Sequence, residues 1–223
     1  VAATLRIFPL DTVLFPGMRQ SVHVVEPRLR SLIQRLVETP PPERRLGVVA
    51  IREGYQVGRR HGRQSAHRVG CEAIVTRADD RPDGSWDVGL SGRRRMRVEE
   101  LVSAERSPAV AAITYPPDID GPEAAVTAAT AIAAFEAYRD AVADHGGVQV
   151  PLGDLPSEPV PLSYALSTAT TLPLRERQLL LEAPTAAARL RRLTLMLRAE
   201  LSAIQAVASL PATRLARTGW SPN

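Results

Sequence analysis

The sequence predicts an α+β chain: a β-rich N-terminal part that closes into a small pseudo-barrel with one helix, then a helical bundle ending in a long helix. Three observations carry this reading. Up to Tyr115, short apolar runs with polar neighbours are separated by closely spaced Gly and Pro, the punctuation of short strands in a closed or half-open barrel. After Pro116-Pro117 that punctuation thins and helix formers take over. Near the C-terminus, Leu190, Thr194, Leu197, Leu201, Ile204 and Ala208 recur at alternating steps of four and three, the spacing of one helix face. The expected division is therefore residues 1–117 and residues 118–223.

The elements follow in order. Phe8-Pro9-Leu10-Asp11-Thr12-Val13-Leu14-Phe15-Pro16-Gly17 reads as a strand, a proline-fixed bend and a second short strand, because each proline fixes its own φ and holds the preceding residue extended. Leu5 with Ile7, and Val22 with Val24, alternate with polar residues as strands with one buried face do. Leu29, Leu32, Ile33, Leu36 and Val37 repeat at helical spacing behind Pro27, which predicts an amphipathic helix over 27–38, stopped by Pro40-Pro41-Pro42. The apolar run 46–51 fits a strand buried on both faces. Segments 69–77 and 86–90 flank the turn-forming cluster 79–84 and should make a β-hairpin; 95–102 and 110–115 supply further strands.

In the second part, 123–144 lacks internal Gly or Pro and predicts a helix ended by His145-Gly146-Gly147. A Pro-rich connector over 150–161 precedes two short helices, 162–170 and 173–182. The last helix should run from Thr185, as its N-cap, to Leu210, about 39 Å at roughly 1.5 Å per residue. The two short helices before it are expected to cover its apolar face, and the tail from 214, with Trp220, to be frayed apart from a docked indole.

Composition narrows the function. The 223 residues are 44% hydrophobic and 23% charged, enough for a real core. All 28 basic residues are arginine, which removes a Walker A loop and a Ser-Lys peptidase dyad, since both need a lysine. A net charge of +4 against 24 acidic residues is no nucleic-acid signature. The single cysteine, Cys71, excludes an internal disulfide framework and suits a reducing compartment, and no leader-like or membrane-spanning run is seen, so a cytoplasmic location without membrane contact is expected.

Few residues tempt a catalytic reading. His61, His67 and Cys71 match no compact zinc spacing and have no fourth ligand at hand, so neither metal nor other cofactor is expected. Gly89-Leu90-Ser91-Gly92 is not a nucleophile elbow and leads into a strand. Glu99-Glu100 and Asp79-Asp80 are sequence neighbours, whose side chains a strand points apart. Arg93, Arg95 and Arg97 are the candidate binding surface: at alternate strand positions they project to one face while Met96 and Val98 turn inward. Such a stripe would meet acidic peptide or phosphate, or else form a solvated face paired with Glu99 or Glu105.

Pro9-Leu10, Phe15-Pro16-Gly17, Glu26-Pro27-Arg28, the strand 46–51, the strand 69–75 and Gly92-Arg93-Arg94-Arg95-Met96-Arg97-Val98 occur in that order. Leu172-Pro173-Leu174 follows, then 175–181 and a long helix through Leu193, Met196, Leu197, Glu200, Leu201 and Ile204. This succession resembles the N-terminal, substrate-binding domain of the Lon protease family in its stand-alone bacterial form, without ATPase or peptidase domains. The resemblance implies a PUA-like pseudo-barrel followed by a helical bundle, and a non-catalytic module for unfolded or degron-bearing polypeptides, working with a protease or alone. Leu29 stands where stand-alone relatives often carry an aromatic, and Met96 where Phe or Ala is common; both changes stay apolar. The alternative is a nucleic-acid-binding PUA-like module that uses the arginine stripe, although no aromatic platform for stacking bases accompanies it. A monomer or weak dimer is expected in either case.

Overall fold

The computed structural model describes residues 3–52, 66–103, 109–144 and 154–208. Its elements are β1 (Ala3–Leu10), β2 (Arg19–Val24), α1 (Pro27–Val37), a 3₁₀ turn (Pro41–Glu43), β3 (Arg45–Ala50), β4 (Val69–Asp80), β5 (Trp86–Ser103) and β6 (Val110–Thr114). The helices α2 (Ala124–Asp144), α3 (Pro159–Ala169), α4 (Leu174–Leu181) and α5 (Ala186–Ala208) follow. This is the α+β layout read from the sequence. No helix among the described residues is long and apolar enough to cross a membrane.

The strands form a ring rather than a regular barrel. β1 runs parallel to β3 and antiparallel to β6, and the antiparallel pairs β3–β4, β4–β5 and β5–β6 complete the circuit. β2 lies outside it, paired among the described residues with β5 alone. β5 makes closure possible. Its first half, Trp86 to Ser91, pairs with β2, and its second half, from Arg97, pairs with β6, while β4 accompanies it along both. The segments expected as separate strands at 86–90 and 95–102 are thus one strand. It bends where the pairing with β4 skips a residue: Ala73 faces Gly92 and Glu72 faces Arg94, leaving Arg93 as the extra residue of a β-bulge.

Residues 13–15, expected as a strand, pair with no strand among the described residues. They are fully buried and divided between two cores: Leu14 joins the ring interior with Phe8, Leu32, Ile33 and Leu90, and Val13 and Phe15 join the helical core. The reason is the covering layer. Arg177 of α4 donates Nη2 to the Val13 carbonyl at 3.1 Å, so a side chain takes the acceptor that a neighbouring strand would have used.

α1 buries Leu29, Leu32, Ile33 and Leu36 against the ring, as its spacing predicts, with Pro27 in its first turn. α3 begins at Pro159, three residues before the expected start, because prolines at 159 and 161 fall in a first turn whose N–H groups have no helical partner to lose. α5 starts after Thr185, whose Oγ1 accepts from the Ala188 N–H at 3.0 Å, the N-cap bond expected of it. The two short helices are not its main cover. α2 lies along it, and the start of α5 is tied to the segment before α2 by Ala186 N–H to Ile119 O at 2.9 Å and Ala187 N–H to Asp120 O at 2.8 Å. Small residues on α2, Ala124, Thr127, Ala128 and Ala131, are buried and let the two helices approach closely. The proposed stops at His145 and Leu210 and the tail with Trp220 lie outside the described residues.

Candidate functional site

Where the ring meets the helices, a cleft of about 620 Å³ opens. One wall is the loop after β1 together with β5, through Pro16, Gly17 and Arg93; the other is the connector before α3 and α3 itself, through Leu155, Pro156, Val160 and Tyr164. Local sequence explains both. Gly17 has a φ of 82°, which lets the chain reverse after Pro16, and its N–H donates to the Gly92 carbonyl at 3.0 Å. In return the Gly92 N–H donates to the Met18 carbonyl at 2.9 Å. Phe15 stacks obliquely on Tyr164, with ring centroids 6.3 Å apart, so an aromatic pair bridges the two walls.

Polar atoms concentrate beneath the cleft. The Asp118 Oδ1 accepts from the Tyr164 hydroxyl at 2.7 Å and forms an ion pair with Arg95 Nη2 at 3.1 Å, and Arg189 Nη2 stands 3.9 Å away. Arg189, 1% exposed, also donates to the Ser163 hydroxyl at 2.7 Å, the Tyr164 hydroxyl at 2.9 Å and the Leu180 carbonyl at 2.9 Å, and its guanidinium lies 3.9 Å from the centre of the Tyr164 ring. Burial pulls Arg189 below the usual guanidinium range and pushes the Tyr164 hydroxyl well above the ordinary phenol value. Two buried cations face one carboxylate, so the floor of the cleft carries excess positive charge.

The three arginines of the candidate surface part company here. Arg93 and Arg97 are exposed, and Arg93 lines the cleft. Arg95 is 4% exposed: besides Asp118 it donates to the carbonyls of Ala183 and Pro117, and it is a strut between ring and helices rather than the centre of a solvent stripe. Alternation placed it on the side opposite Met96, as expected. What alternation does not show is that the helical layer covers that side. Met96 is fully buried and Val98 only half-buried. Glu99 accepts from the Thr114 hydroxyl at 2.6 Å, and Glu105 lies outside the described residues.

The partners of the strut were missed, and only one had a signal. Arg189 stands three residues after Ala186 and four before Leu193, on the buried stripe of α5, where a cation requires a buried acceptor. Asp118 and Tyr164 have no such mark. A second pair lies on the ring: Glu72, almost wholly buried, accepts from Arg94 Nε at 2.6 Å, and the Arg94 guanidinium covers the Tyr115 ring at 3.4 Å.

The remaining candidates serve packing. Cys71 is fully buried in β4, its thiol pushed up to about 12 by burial. His67 sits 3.7 Å from Glu182, and His61 is outside the described residues. Among the described residues no group of His, Cys, Asp or Glu is arranged to hold a metal ion.

A family model described as the ATP-dependent protease La (LON) substrate-binding domain matches residues 4–199. Among solved structures, the crystal structure of a Lon N-terminal domain protein from Xanthomonas campestris superimposes with a TM-score of 0.59 at 21% identity, over 94% of this chain and 99% of that one. The N-terminal domain of Mycobacterium avium complex Lon protease superimposes with a TM-score of 0.63 at 15% identity, over 90% and 98%. At these identities the two structures speak for the fold alone. A comparison with curated proteins gives no match.

Proposed function

We propose that this chain, which belongs to the Lon substrate-binding domain family, is a non-catalytic module that holds unfolded or degron-bearing polypeptide in the cleft between its ring and its helices. One observation carries the reading: the cleft walls are apolar side chains and proline rings supplied by both parts, converging on a few polar atoms, the composition of a site that takes apolar side chains and orients the backbone carrying them. Its volume suits a short stretch of chain, which fits recognition of a local segment within a client.

The test is to fill the cleft. Ala165 of α3 lines it and is half-buried, so Ala165→Trp places an indole in the space without touching the polar floor. Fluorescence anisotropy with labelled, denatured casein should show binding by the parent protein and at least tenfold weaker binding by the variant, at an unchanged melting temperature. Equal affinities would remove the cleft from the reading. Nucleic acid is the weaker alternative, since burial of Arg95 leaves only Arg93 and Arg97 of the stripe exposed.

A further inference from the structure

Arg93 differs from the other arginines around the cleft. Arg95, Arg177 and Arg189 are committed to carbonyls, hydroxyls or Asp118, whereas the Arg93 guanidinium pairs with no side chain among the described residues. Its position is nonetheless fixed. It is the extra residue of the bulge opposite Glu72 and Ala73, held between Gly92, which is bonded to the 17–18 turn, and Arg94, which is paired with Glu72. A free cation on an anchored backbone thus overlooks an apolar cleft. Below it, Arg95 and Arg189 outnumber Asp118, and the Arg95 Nε is buried without an acceptor. Asp154 at the connector lip offsets part of this charge, leaving three guanidiniums against two carboxylates.

From this charge pattern we infer that the cleft prefers apolar polypeptide segments that carry an acidic side chain, whose carboxylate pairs with Arg93 while neighbouring apolar side chains fill the space between Pro16 and Val160. This rests on the polypeptide-binding reading above and adds the chemistry of the preferred client. A carboxylate suits the site better than a bulkier anion because the Arg93 fork donates to it bidentately while its neighbours enter an apolar space.

The experiment uses two fluorescein-labelled peptides of leucine, valine and serine, identical except for one central Glu or Gln, titrated with the full chain. The Glu peptide should bind about five- to tenfold more tightly, a ratio worth roughly 1 kcal/mol or slightly more, and added salt should narrow the gap. In Arg93→Ala the ratio should fall to about one, and in Arg93→Lys it should be intermediate. Because the Arg93 side chain pairs with no side chain among the described residues, both variants should melt with the parent, which separates recognition from folding.

Equal affinity of the parent for the two peptides would overturn the acidic preference while leaving the binding module standing. A preference that survives Arg93→Ala would overturn the assignment to this residue. If neither peptide binds, the polypeptide reading itself fails and this inference with it. Tighter, Arg93-dependent binding of a single-stranded oligouridylate would assign the cation to phosphate instead.

Discussion

At the scale of single residues, burial decides more than charge does. His67 follows Ala66, which forms an isolated antiparallel bridge with Ile51 just past β3; the His67 N–H is bonded to the Ala50 carbonyl at 2.9 Å and its ring lies 3.7 Å from Glu182. Two effects oppose each other on the imidazole: burial, with Arg52 adding to it, lowers its pKa, and the Glu182 carboxylate raises it. Burial is the larger, so the folded protein holds the ring neutral below the ordinary histidine value. The unfolded chain therefore takes up a proton first as the pH falls. His67 contributes its full stability above about pH 6.5, and that contribution declines as acidification carries the ring through its depressed folded value. A two-dimensional NMR titration should place the His67 pKa below the ordinary histidine value of about 6.5, and the parent should lose more melting temperature than His67→Gln between about pH 7 and pH 5. A parent and variant with parallel pH profiles would show that the ring is not held neutral.

At the scale of elements, one tight constraint is where the 15–18 turn crosses β5. A Cβ on Gly92 would lie 2.1 Å from the Phe15 carbonyl oxygen, a backbone atom that cannot rotate away, whereas one on Gly17 would meet nothing within 4 Å and carry only the cost of its positive φ. Urea denaturation should show Gly92→Ala losing about 3 kcal/mol and Gly17→Asn only about 1 kcal/mol. Similar losses would mean the crossing is looser than this geometry. The glycine in front of the arginines was visible in the sequence; the reason for it was not, because the carbonyl it admits lies on a loop far away along the chain. The same division runs through the fold. α1, β3 and the start of α5 were legible because spacing, double-sided burial and an N-cap are local signals. Residues 13–15 look like a strand in sequence, since proline and aromatic residues favour extension, and only the missing partner keeps them out of the sheet. Arg95 could not be placed, because alternation identifies a side of a strand without saying whether water or a helix lies on it.

At the scale of the whole molecule, the cluster of the part-exposed Asp118 carboxylate with the buried Arg95 and Arg189 is the polar joint between the ring and the helices, which also share an apolar core through Val13, Phe15, Ala50 and Val69. Arg95 comes from β5, Asp118 from the segment after Pro117, Tyr164 from α3 and Arg189 from α5, so each side chain ties a different element to the same carboxylate. Such a joint adds less net stability than its bonds suggest, because both guanidiniums give up water to reach it; removing one partner is what costs heavily. Asp118→Asn keeps the shape and the acceptor but leaves two buried cations unneutralised, and should destabilise by about 3 kcal/mol. Arg95→Met should cost less, since Asp118 keeps Arg189 and Tyr164 and the methionine replaces the buried stem. Combining them should cost at least 1 kcal/mol less than the separate losses added together, because the second change removes one of the cations stranded by the first. All the variants should still unfold in one transition, since ring and helices share a core. Strict additivity in the cycle would show that Asp118 and Arg95 act independently, and two separated transitions would show that the joint, rather than the shared core, holds the halves together.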